Sequence, residues 1–240
     1  MRQRRRELYL RTRGRCRPCR VVRRHTRRWH YPIVGEIKTA RRVLTTTRLH
    51  VIIRPRGGDF LYSPLELERM AADIDIAREL GADGVVFGCL RPDGSLDTEA
   101  NAMLMEHAKG LSVTFHRAFD RCADPRKALE ELIAQGFDRI LTSGQQPTAL
   151  EGTPLLKELH EQANGRIILL AGCGVNEQNI ATIAQATAIH EFHFSARTAV
   201  KSKMMFSNPD VYMGAKDADE DTLNITSAER VANTIAQLCK

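Results

Sequence analysis

The chain has 240 residues, with 36 Lys+Arg against 29 Asp+Glu and a formal net charge of +7. No apolar run approaches the ~18 residues of a membrane-spanning helix, so the composition excludes such a helix and fits a soluble domain with a sizeable core. The charge is concentrated: residues 1–30 hold 13 arginines and one glutamate, whereas the other 210 carry 23 Lys+Arg against 28 Asp+Glu. Any attraction to nucleic acid or anionic lipid would therefore reside in the head alone.

Three readings of the head, residues 1–34, compete. A basic arm would bind nucleic acid or acidic lipid. A transit peptide would be Arg-rich, but the first 30 residues lack serine and show no amphipathic stripe. The third reading is a shifted frame. Residues 16–34 can be encoded by DNA that, read one nucleotide later, spells ADRVELCDDTLEGGTTPSY, and the single Trp29 codon forces a glycine there. The same shift turns residues 1–7 into CDSVEE. We expect residues 1–34 to be out of frame, residues 35–240 to form the folded domain, and nucleic acid to be a partner only if the head is genuine.

The first helical pattern covers residues 36–48. Short apolar, β-branched runs then recur at 49–54, 84–89, 111–116, 138–142, 166–171 and 189–194, spaced 23–35 residues apart. Runs that alternate with helical patterns indicate parallel βαβ units. Ser63-Pro64-Leu65-Glu66 offers a capping box with proline at the first helical position. Asp124-Pro125 repeats the cap, Asn176 is expected to cap a helix after the fifth strand, and Thr226 with Glu229 a final one. Gly81, Gly110 and Gly136 stand where helices should stop. The rhythm predicts an α/β fold of the TIM-type (β/α)8 family with about six regular units, the first two strands being garbled by the shifted frame. A six-stranded α/β sheet is the alternative.

Polar residues gather at the strand ends, where both architectures place ligands. In IRPRGGDF (53–60), Arg54 and Arg56 are two residues apart and are expected to face one way and hold a carboxylate or phosphate. In the simpler reading Arg56 pairs with Asp59 and pins the loop. In TFHRAFD (114–120), Thr114 and His116 share a face, and His116 is the candidate catalytic or ligand-holding residue, with Arg117 beside it. LTSGQ (141–145) brings Ser143 and Gln145. AGCGV (171–175) brings Gly172 and Gly174, a turn leading to Asn176 that would offer backbone N–H groups to an anion. Ser195 and Arg197 are expected to complete that site.

The six cysteines, 16, 19, 89, 122, 173 and 239, are scattered, which suggests a reducing compartment. Cys89, Cys122 and Cys173 fall near the same rim and are candidate soft ligands for Cu(I). Cys16 and Cys19 form an isolated CxxC with no second half.

These four motifs, in this order, resemble the CutC copper-homeostasis family over residues 35–240, and the shifted head resembles that family's beginning. The resemblance implies a cytoplasmic (β/α)8 barrel, often a homodimer, linked to copper tolerance and proposed to bind Cu(I). The family's proposed ligands include cysteines on its first two strands, and the translated frame carries none there. Two functions are carried forward: a copper-homeostasis barrel with Cu(I) as the ligand, and a barrel enzyme acting on a small anionic or phosphorylated metabolite through Arg54, Arg56 and His116. No membrane partner is expected.

Overall fold

A computed structural model describes residues 34–206, 208, 210, 211, 219 and 221–239. The head through residue 33, with Cys16, Cys19 and the two strands expected from the shifted frame, lies outside the described residues.

After α1 (Val34–Val43) the chain alternates strand and helix: β1 (His50–Ile52), α2 (Pro64–Glu79), β2 (Gly84–Phe87), α3 (Thr98–His107), β3 (Ser112–Phe115), a 3-10 helix (Arg117–Arg121), α4 (Pro125–Ala134), β4 (Arg139–Thr142), α5 (Thr153–Ala163), β5 (Ile168–Gly172), α6 (Ile180–Thr187) and β6 (Glu191–His193). The strands form one sheet in the order β1-β2-β3-β4-β5-β6, every neighbour parallel. This is six-eighths of a TIM-type barrel, left open: among the described residues β1 pairs only with β2, and β6 only with β5. Five of these six strands lie inside runs read from the sequence, and β5 overruns its 166–171 run by one residue, Gly172.

Local signals explain most boundaries. The Ser63 hydroxyl accepts from the Glu66 N–H and Glu66 accepts from the Ser63 N–H, which closes the capping box of α2. Asp124 accepts from the N–H groups of Arg126 and Lys127 ahead of α4. Gly81, Gly110 and Gly136 all have positive φ, as helix stops require.

Three boundaries differ from expectation. Asn176 does not cap α6, which starts at Ile180; its carboxamide oxygen accepts from the Gln178 N–H and closes a turn instead. Thr226 is the last residue of a strand, so Ser227 caps the final helix by accepting from the Arg230 N–H. That strand belongs to an unexpected antiparallel hairpin, β7 (Arg197–Lys201) with β8 (Thr222–Thr226), which precedes α7 (Ala228–Ala236). Little of the hairpin is buried, so it leaves no apolar period to read.

Alternation divides the sheet into two faces. Val51, Ile53, Val85, Phe87, Val113, Phe115, Ile140, Leu169 and Ala171 join the helices in one hydrophobic core that also holds Met70, Ile74, Leu104, Leu129, Leu132, Leu156 and Ile183. The intervening residues form the inner face. At its floor Arg139 donates to Ser112 Oγ and pairs with Glu191 at 2.8 Å, which ties β3, β4 and β6. Ile52, Val86, Leu141 and Leu170 fill its middle, all buried.

Candidate functional site

The inner face ends in a polar row. Pairing runs Ile52↔Val86 and Val86↔Thr114. Continuing two residues along each strand puts Arg54, Gly88 and His116 side by side, and the bond from His116 N–H to Phe87 O keeps that register. Gly88 has no side chain, so Arg54 and His116 approach one another across it. The glycine is required sterically: a Cβ there would meet the Phe115 ring at 2.8 Å and His116 Nδ1 at 2.9 Å.

Three candidate side chains, Arg54 and His116 in this row and Thr114 in the row beneath, are buried: Arg54 is 5% exposed, His116 2% and Thr114 1%. Phe60, partly exposed, lies over Arg54 at 4.5 Å from guanidinium to ring centroid and meets the His116 ring edge-on at 4.8 Å. Arg54 Nη2 donates to Gly58 O at 2.7 Å. The ring nitrogen His116 Nδ1 accepts from the Ala118 N–H at 3.3 Å. A neutral imidazole whose Nδ1 accepts carries its proton on Nε2. That Nε2, like Thr114 Oγ1, is buried with no hydrogen-bond partner among the described residues.

Burial, and secondarily the Arg54 guanidinium, lower the His116 pKa to about 3. The imidazole is therefore neutral at physiological pH and acts as a fixed N–H donor. Burial also lowers Arg54 and raises Tyr62, which packs beside it.

The other candidates belong to loops that hold this row. Arg56 is not a second inner-face guanidinium. β1 ends at Ile52, so strand alternation stops before Arg56, and its side chain is taken by Asp59 at 2.8 Å and Glu66 at 2.7 Å. It pins the β1–α2 loop, and Asp59 is its partner there. Arg117 donates to Asp120 at 2.6 Å and to Ser143 Oγ at 2.9 Å. Ser143, fully buried, donates to Gln146 O, and Gln145 reaches Cys122 O. Asp120 organises all of this by accepting also from Thr142 Oγ1 and the N–H groups of Ser143 and Gln145. Its place in the sequence, just past a strand end in TFHRAFD, was the available signal for that role.

In the turn after β5 several donors are already taken. Asn176 N–H donates to Asn179 Oδ1, and the carboxamides of both residues donate to Gly174 O. Gly172 is needed for packing, since a Cβ would meet Leu141 at 2.5 Å. Ser195 is exposed, and Arg197 begins the hairpin rather than the rim.

The cysteines do not assemble. Among the described residues no three His, Cys, Asp or Glu come together to hold a metal ion. Burial, and then Asp97, raise the Cys89 thiol; burial, and then Asp120 and Asp124, raise Cys122 to about 12. Cys173 Sγ donates to Pro147 O at 3.1 Å. Thiols held protonated by burial are poor Cu(I) ligands, which counts against Cys89 and Cys122 in that role.

The sequence model of the CutC family matches residues 28–198. The chain belongs to the CutC family. It is 64% identical over 205 residues to a CutC family protein of Bacteroides thetaiotaomicron, covering 85% of this chain and 82% of that one. It is 50% identical over 190 residues to the human copper homeostasis protein cutC homolog, covering 78% and 70%. A solved CutC structure from Streptococcus agalactiae superposes with a TM-score of 0.66 at 39% identity, over 68% of this chain and 80% of that one. The fold and the family assignment thus agree with the motif resemblance, and no helix among the described residues is long and apolar enough to cross a membrane.

Proposed function

We propose that this CutC-family chain acts in copper homeostasis in the cytoplasm, and that its barrel does so by binding a small anionic ligand at Arg54 and His116 rather than by coordinating Cu(I) through Cys89, Cys122 and Cys173. The relatives' name supports the link to copper. Free rather than disulfide-bonded cysteines at 89, 122 and 173 support a reducing compartment. The observation that carries the ligand reading is the buried His116 Nε2–H without a partner, one glycine away from a buried guanidinium. Leaving such a donor unsatisfied costs about 1–3 kcal/mol, a cost that an acceptor on a ligand removes.

Thermal-shift measurements on the full chain with a panel of small carboxylates and phosphates test this. Stabilisation by at least one anion, lost in Arg54→Met, is expected. A panel without effect, together with stoichiometric Cu(I) uptake that disappears in Cys89→Ala or Cys122→Ala, would contradict the reading.

A further inference from the structure

Resting on that anion-binding reading, the ligand's chemistry can be narrowed. Phosphate sites are built from several free backbone N–H groups at a helix start or in a turn. At this rim several of those groups are already bonded. After β3 the Ala118 N–H is taken by His116 Nδ1 and the Phe119 N–H by His116 O. After β4 the N–H groups of Ser143 and Gln145 go to Asp120, and that of Gly144 to Thr142 Oγ1. After β5 the N–H groups of Asn176 and Gln178 go to Asn179 and Asn176.

The inner face offers a different set: the Nε2–H of His116 and, in the row below it, the hydroxyl of Thr114, both without hydrogen-bond partners among the described residues, beside the positive field of Arg54, which also donates to Gly58 O. One cation with one N–H and one O–H suits a single carboxylate carrying a neighbouring oxygen, not a dianion. His116 is held neutral, so it adds no second charge. Arg54 is the charged group that acts on it.

We propose that the site takes a small hydroxy- or oxo-carboxylate, with Arg54 and His116 Nε2–H on its acceptor oxygens and Thr114 on its second oxygen function, and that Gly88 is the residue that admits it. Gly88 sets the imidazole's place, because even a methyl group there would collide with Nδ1. The ligand enters when the Phe60 ring lifts from Arg54 and His116.

Calorimetric titration of the full chain with lactate, pyruvate and inorganic phosphate tests the assignment. Lactate or pyruvate is expected to bind. Thr114→Val should weaken that binding about tenfold, equivalent to about 1.4 kcal/mol, and Thr114→Ser should restore it. Gly88→Ala should abolish it while the far-ultraviolet circular dichroism spectrum is retained. Phosphate that binds more tightly than either carboxylate and competes with it would overturn the carboxylate assignment and leave the anion reading standing. No heat from any of the three would overturn both. Binding indifferent to Thr114→Val would overturn the role given to Thr114, and binding unchanged in Gly88→Ala the role given to Gly88.

Discussion

The two faces of the six-stranded sheet are built from alternate residues of the same strands, yet they follow different rules. The helix side is closed and largely apolar: Phe87 and Phe115 each meet Phe137 edge-on at 5.5 Å within one hydrophobic cluster. The inner side is layered, with an ion pair at the floor, aliphatic residues and the Thr114 hydroxyl in the middle, and a guanidinium and an imidazole at the top. The first face is dominated by apolar contacts. The second keeps polar atoms buried without partners, which stability alone would select against. The difference marks the inner face at the strand ends as the place of the proposed ligand site.

The broadest way to sharpen that contrast is to complete the barrel. A gene with the reading frame restored upstream of codon 35 should yield a chain that melts at a higher temperature and more cooperatively, an effect larger than that of any single substitution below. Two strands would then cover the edges of β1 and β6, which lack neighbours among the described residues. An unchanged melting curve would remove the frame argument.

On the helix side, Phe115→Ala should cost about 3–5 kcal/mol in denaturant unfolding, because the fully buried ring leaves a cavity in a rigid core. A loss below ~1 kcal/mol would show that this face is not the close-packed one.

Acid should act through the inner face. His116 titrates at about 3 when folded against an ordinary 6.5. A depressed folded pKa contributes stability that is fully present above pH 6.5 and is lost as pH falls toward 3, by about 1.4 kcal/mol per unit. Urea midpoints measured across that window check it, and His116→Gln should flatten the slope.

The smallest effect has the opposite sign. Thr114→Val should stabilise the ligand-free chain by about 1 kcal/mol, because it replaces an unsatisfied buried hydroxyl with a methyl group of similar shape. Destabilisation by that amount would mean that the hydroxyl is satisfied.

Much of the fold was legible because periodicity and caps are local. All six parallel strands coincide with the expected apolar runs to within one residue, and the Ser63 box and the Asp124 cap are four-residue signals. The β7–β8 hairpin was not legible, since it is held by backbone pairing across two mostly exposed strands. The site was legible in part. Arg54, Thr114 and His116 stand out by alternation. Arg56 misled, because β1 is three residues long and the parity rule lapses before it is reached. Gly88 carried no signal, because its role depends on a register across three strands. Asp120 was visible only as a companion of His116, since four of its partners come from the neighbouring β4 end and the 3-10 helix. The cysteine grouping was read from nearness to strand ends, which does not fix burial: Cys89 and Cys122 lie within the hydrophobic cluster, whereas Cys173 is partly exposed.

The most direct test of the inner-face account is a nitrogen-15 NMR spectrum of histidine-labelled full chain, recorded from pH 8 to pH 5 with His116→Gln for assignment. The account predicts a His116 signal locked as the Nε2-protonated neutral tautomer and unchanged across the range. A His116 signal that titrates near its ordinary value, or one protonated on Nδ1, would contradict it.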